Sequence, residues 1–250
     1  MIQRDFLMKR ELDFSEPWSV FKIMSDFVDG FDMLKEIGPA VTIFGSARTA
    51  NDDKYYKLAE EIGFLMAEEG YNVITGGSDG IMEAGNKGAH RSDNGYSIGL
   101  NVELPFEQSS NQFLDFGHKF DYFFSRKVML IKYSYAYIIL PGGFGTMDEL
   151  FEALTLVQTK KIFPIGIFLV GKAFWSPMIE FIKKSMLSEG TISQEDFNLL
   201  QITDSPSEIV ALTRKQLERK MQQMEEDELV DIKSYKKLEA FLEKQNGLSE

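Results

Sequence analysis

Short apolar runs, each ending in a glycine turn and followed by a helical period, constrain this chain more than any other feature. AVTIF (40–44) closes on Gly45, YNVIT (71–75) on Gly76 and AYIILP (136–141) on Gly142. Between the first two, residues 53–69 set Leu58, Ile62, Leu65 and Met66 on one helical face, and Gly70 ends the run. Residues 81–89 read as a small-residue helix, and SIGLNV (97–102) and FPIGIFLV (163–170) as further strands. Helices are expected over 123–134, from PGGFGT to about 160, and over 173–188, while 105–117, rich in Asn, Gln, Ser and Gly, reads as a loop. Strand, turn and helix in alternation give a parallel sheet covered on both sides, a Rossmann-like, doubly wound α/β fold.

The two ends differ from this middle. Residues 1–14 show no period and read as an arm. From Pro17 onward Phe21, Met24, Val28, Phe31 and Leu34 recur at helical spacing until Gly38-Pro39. Such a helix packs on the outside of a domain or against a second subunit. Residues 206–245 read as charged helices covering the core, with the EEDE run (225–228) as a solvated face. The expected organisation is an arm and helix (1–38), a nucleotide-binding domain (39–205) and a helical extension of it (206–250).

Composition removes several classes. The absence of cysteine excludes a thiol nucleophile, a disulfide framework and cysteine-ligated metals. A formal charge of −12 argues against non-specific binding to nucleic acid or anionic membrane. No apolar run approaches the roughly 20 residues of a membrane helix, and the N-terminus lacks an apolar signal core, so a cytoplasmic protein is expected. His90 and His118 share no motif, so neither a metal site nor a histidine triad is expected.

The chemistry gathers at three small-residue turns, Gly45-Ser46-Ala47, Gly76 to Gly80, and Gly142-Gly143-Phe144-Gly145-Thr146. Glycine lets backbone N–H groups approach an anion, and the following helix dipole favours negative charge. None is a Walker P-loop or a GxGxxG fingerprint, and GxSxG and HExxH are absent. Two assignments stay open on spacing alone. Thr146-Met147-Asp148-Glu149 fits a helix capping box, and Arg126-Lys127 fits a solvated helix face.

Arg126-Lys127 upstream of PGGFGTMDE (141–149), with IFGSAR (43–48) and GGSDGIMEAGNKGA (76–89), resembles the Lonely Guy family across residues 18–185. Members are phosphoribohydrolases of cytokinin nucleotides or AMP-like substrates, often mislabelled lysine decarboxylases. The leading helix resembles the bacterial branch with an N-terminal extension. The resemblance implies hydrolysis of a nucleoside 5′-monophosphate to free base and ribose 5-phosphate, without cofactor or metal, by a homodimer. It implies Arg126 and Glu149 as catalytic residues. It implies substrate contacts from Gly45, Ser46, Gly77, Gly80, Met82 and Lys127, and from Gly142, Gly143, Gly145 and Thr146. Ser78-Asp79 departs from the family pattern, which commonly has a third glycine and a proline or small residue there. A true lysine decarboxylase needs a pyridoxal phosphate lysine in a recognisable setting, and none is found. The alternative function is a nucleotide or cofactor carrier or sensor without turnover, on a similar fold.

Overall fold

The computed structural model describes residues 16–104 and 109–247. The arm over residues 1–14 and part of the expected 105–117 loop lie outside them. Seven strands form one parallel sheet: β1 Ala40–Phe44, β2 Asn72–Thr75, β3 Ser97–Val102, β4 Phe116–Phe120, β5 Ser134–Ile139, β6 Gly166–Leu169 and β7 Leu200–Ile202. Their order is β4-β3-β2-β1-β5-β6-β7. The chain therefore winds outward from β1 and then returns to its other side at β5.

The helices are α1 Glu16–Leu34, α2 Lys54–Glu68, α3 Ile81–Ala89, α4 Phe123–Lys132, α5 Phe144–Gln158, α6 Lys172–Phe181, α7 Gln194–Phe197, α8 Pro206–Glu226 and α9 Lys233–Gly247. A π-helical turn, Ile182–Leu187, continues α6. On one face of the sheet α2, α3, α8 and α9 build a core around Ile43, Ile62, Ile81 and Leu217. On the other, Leu34 of α1, Leu130 of α4, Leu150 of α5 and Trp175 of α6 pack with Phe44, Ile74 and Tyr137. Both faces are covered, so β1, β2, β3 and β6 are buried at every position. This is the doubly wound α/β fold expected from the alternation.

Four features differ from the sequence expectation. The 105–117 loop runs into β4, an edge strand whose Gly117 and Lys119 face outward. Residues 190–205 hold α7 and the three-residue β7, both unanticipated. The C-terminal helices do more than cover the core, because Ile209, Leu217, Met224, Tyr235 and Leu238 are buried in it. The EEDE run is exposed, as expected.

The fourth difference is the orientation of α1. Its buried face is Ser19, Asp26, Gly30 and Leu34, whereas Phe21, Met24 and Val28 are 61, 54 and 61 % exposed. Gly30 makes the inner face thin enough for close contact. A Cβ there would stand 3.0 Å from both Met129 and Phe120. The apolar stripe therefore faces away from the sheet, Leu34 excepted.

Candidate active site

The three glycine turns meet above the carboxyl ends of β1, β2 and β5, where the strand order reverses and helices leave on opposite faces. Ser46 joins all three. Its N–H donates to Pro141 O at 3.0 Å, and its carbonyl accepts from Ile81 N at 3.0 Å. Gly80 permits this approach, with φ at +65° and space for a hydrogen only. A Cβ would lie 2.3 Å from Ser46 O.

A cleft of about 640 Å³ opens between the turns. Gly45, Ser46 and Met82 line one wall, Gly143, Gly145 and Thr146 the other, and Arg126 and Glu149 supply its charged groups. Gly77, Gly80 and Gly142 do not line it. Gly77 packs on Gly99 and Asn101, and Gly142 lies under Thr146, whose Oγ1 would meet a Cβ at 2.1 Å. Their part is to shape the turns. Lys127 points away from the cleft and pairs with Asp148 at 2.7 Å and Glu152 at 2.6 Å. Gly76, Arg48 and Phe144, which belong to the sequence motifs but were not expected as substrate contacts, also line the cleft. Phe144 is 96 % exposed.

A buried polar network fixes the second turn. Thr75 Oγ1 accepts from Gly77 N at 2.9 Å and bonds Asn86 Oδ1 at 2.5 Å. Asn86 Oδ1 also accepts from Asn111 Nδ2 at 3.0 Å, and Asn86 Nδ2 donates to Ser97 Oγ at 2.9 Å. Ser78 is buried, with its carbonyl accepting from Asn111 Nδ2, whereas Asp79 is exposed and caps nothing. The acid in this turn thus lies in water rather than against the cleft.

Arg126 and Glu149 form a loose buried pair. Arg126 Nη2 lies 3.6 Å from Glu149 Oε1, with side chains 15 and 4 % exposed. Arg126 Nε and Glu149 Oε2 have no hydrogen-bond partner although both are buried. Coulomb attraction at this spacing does not repay the loss of hydration. Burial accordingly pushes the Glu149 carboxyl up to about 7, against the opposing pull of Lys127 and Arg126. Burial also lowers the Arg126 guanidinium from its ordinary value.

The capping-box alternative for Glu149 fails on helix position. α5 begins at Phe144 with Gly143 as its N-cap and no side-chain cap. Thr146 is thus already inside the helix, and Glu149 does not reach back to close it. The solvated-face alternative fails for Arg126 because the side chain is buried. The first N–H groups of α5, which have no intrahelical acceptor, border the cleft and carry the positive end of the dipole.

Sequence reasoning missed the group that fixes Arg126. α4 carries the arginine in its first turns, and the side chain of its N-cap Tyr122 does not cap the helix. Asp26 of α1 does this from another helix. Its carboxylate accepts from Asp121 N and Tyr122 N, each at 3.1 Å, and from the Ser125 hydroxyl. No sequence signal marked it, since Asp26 is one of four acids, with Glu16, Asp29 and Asp32, at the non-stripe positions of α1.

The histidines lie elsewhere. His90 Nδ1 is 2.8 Å from Asp115, and His118 packs on Phe120. Among the described residues no group of three or more His, Cys, Asp or Glu could hold a metal ion. No described helix is long and apolar enough to cross a membrane.

Fold and site together define a doubly wound α/β protein with a glycine-walled cleft at its strand-order reversal. The chain belongs to the Lonely Guy family, matching the family described as possible lysine decarboxylase over residues 82–213, just over half its length. It is similar to the cytokinin riboside 5′-monophosphate phosphoribohydrolase LOG of Oryza sativa subsp. japonica, with 30 % identity over 66 % of this chain and 68 % of that protein. The cytokinin riboside 5′-monophosphate phosphoribohydrolase of Mycobacterium tuberculosis is 32 % identical over 40 % of this chain and 54 % of its own. The molybdenum cofactor carrier protein of Chlamydomonas reinhardtii shares the fold, with a TM-score of 0.52 and 20 % identity over 72 % of this chain and 99 % of that one. The older family description implies a pyridoxal phosphate lysine, and the cleft does not fit one. No lysine lines it among the described residues.

Asp26→Ala leaves two backbone donors unpaired in the interior, while the Ser125 hydroxyl keeps the Tyr122 carbonyl as its acceptor. It is expected to cost about 3 kcal/mol in urea unfolding, with Asp26→Asn recovering part of that. A loss near zero would show that α4 is held without this carboxylate.

Proposed function

We propose that this chain hydrolyses the N-glycosidic bond of a nucleoside 5′-monophosphate, AMP-like or cytokinin-type, to free base and ribose 5-phosphate. The observation that carries this reading is Glu149 Oε2, a buried carboxylate oxygen without a partner, in a cleft whose other wall is an uncapped helix N-terminus. The names of the rice and mycobacterial relatives support the same reaction.

In this reading the substrate phosphate takes the N–H groups of Gly143, Gly145 and Thr146 and the positive end of α5. The flat rim offered by Phe144 and the thioether of Met82 suit a nucleobase. As the C1′–N bond breaks, its electrons leave with the base, and positive charge develops on C1′ and the ring oxygen. The Glu149 carboxylate faces that charge, takes a proton from the water attacking C1′ and then passes it on to the departing base, which restores the carboxylate. Arg126, held by Asp26 through α4, supplies a fixed fork of donors to phosphate or ribose. A carboxyl that titrates at about 7 suits a general base, because a substantial share is ionised at neutral pH and that share is strongly basic.

The proposed assembly is a homodimer. Phe21, Met24 and Val28, with Trp18 at 69 % exposure, present an apolar stripe along α1 that a C2 partner would cover. Light scattering at micromolar concentration should give twice the 28.6 kDa chain mass; the mass of a single chain would contradict the dimer.

The catalytic test is free base released from AMP and related monophosphates. Glu149→Gln should lower turnover on the order of a hundredfold or more while AMP still binds. Wild-type kcat/KM should fall about tenfold per pH unit below about 7 and level off above it, because the ionised carboxylate is the active form. A folded, fully active Glu149→Gln protein would remove the mechanism. A wild-type protein that binds AMP but turns over no common monophosphate would stand as a carrier instead.

A further inference from the structure

A second cavity, of about 470 Å³, lies at the opposite end of the sheet from the cleft, where the chain enters β6 and β7. Its apolar wall is Phe163, Pro164, Ile165 and Leu199, and α8 closes it with Gln216, Arg219, Lys220 and Gln223. Lys220 is the unusual member. Its ammonium sits between two rings, 4.4 Å from the Tyr135 centroid and 5.3 Å from that of Phe163. No carboxylate pairs with it or with Arg219 among the described residues, in a chain with 39 acids and a net charge of −12. Burial lowers the Lys220 ammonium from its ordinary value, with no compensating acid.

A half-buried cation of this kind is costly unless something answers it. The two rings contribute through their faces but supply no hydrogen-bond acceptor. The ammonium therefore keeps donors to offer into a space that also holds a second cation, an apolar wall and the side-chain amides of Gln201, Gln216 and Gln223. Glu195 on the rim is the only acid lining it among the described residues, and it pairs with neither cation. A few convergent polar groups on an apolar concavity are the usual make-up of a small-molecule site.

We infer that this cavity binds a small organic anion, a carboxylate or phosphate on a flat apolar body, with Lys220 as its charge anchor. The anionic group sits against Lys220 and Arg219, and the body lies along Phe163, Pro164 and Leu199. The site is separate from the glycine-walled cleft and does not depend on the reaction proposed there.

The probes are phenyl phosphate, benzoate and phenol, titrated into isotope-labelled full-length protein and followed by NMR shifts at Phe163 and Gln223 against those at Gly143. Phenyl phosphate and benzoate should give saturable shifts at the cavity, and the tighter of the two identifies the anion as phosphate or carboxylate. Phenol, with the same ring and no charge, should bind at least tenfold more weakly. Lys220→Met, which keeps the length of the stem, should abolish the cavity shifts, leave those at Gly143 and leave any turnover of AMP unchanged, while Lys220→Arg should restore binding. Gln223→Trp, at the exposed rim, plugs the same space and serves if Lys220→Met fails to fold. Absent cavity shifts, equal binding of phenol, or shifts that survive Lys220→Met or Gln223→Trp would each overturn the assignment.

Discussion

Everything that gives this protein a site depends on β1 pairing with both β2 and β5. The reversal of strand order opens a gap at the carboxyl ends that no crossover helix can fill. Three turns converge there, and the backbone of Ser46 bonds to the other two. Glycine is required where they touch, since at Gly80 a side chain would strike Ser46 itself. The walls of the cleft are thus set by sheet topology and backbone contact before any reactive side chain is placed.

The buried Arg126–Glu149 pair adds a second constraint, and an energetically unfavourable one. Arg126 and Glu149 come from helices that follow different strands, and both lose most of their hydration. A structural ion pair would have closed to hydrogen-bond distance and satisfied its remaining atoms. Here the pair is loose, each partner keeps a buried polar atom unused, and the carboxyl is held near neutrality. Such strain persists only where the surroundings over-determine it. Asp26 on one side and the rigid start of α5 on the other do so. Lys127, next to Arg126 in sequence, meets the opposite fate. It turns outward to Asp148 and Glu152, because successive residues on a helix face different directions.

The fold was largely legible because most buried parallel strands read as short apolar runs, and β1, β2, β5 and β6 are each followed closely by glycine. What escaped notice lacked that signal. β4 is an edge strand with Gly117 and Lys119 turned to solvent, and β7 has three residues, too few for a period. The stripe on α1 was visible, but its direction was not. Small and polar residues, Gly30 and Asp26, pack inward, leaving the large apolar ones outside. In the site, Arg126, Glu149 and the walls of the first and third turns stood out through short motifs. Asp26, Asn86 and Asn111 did not, because their partners are remote in sequence and a buried amide or acid is indistinguishable from a surface one until the chain is folded. The capping-box pattern misled for a local reason: the helix starts at Phe144, ahead of the threonine that would have capped it.

The central claim is that the uncapped start of α5 and the free oxygen of Glu149 act on one bound nucleotide. A crystal structure of Glu149→Gln soaked with AMP tests it most directly. The account predicts the phosphate on the N–H groups of Gly143, Gly145 and Thr146, the base toward Met82 and Phe144, and C1′ facing residue 149 across a water. AMP bound with its phosphate away from α5, or with C1′ out of reach of residue 149, would contradict it.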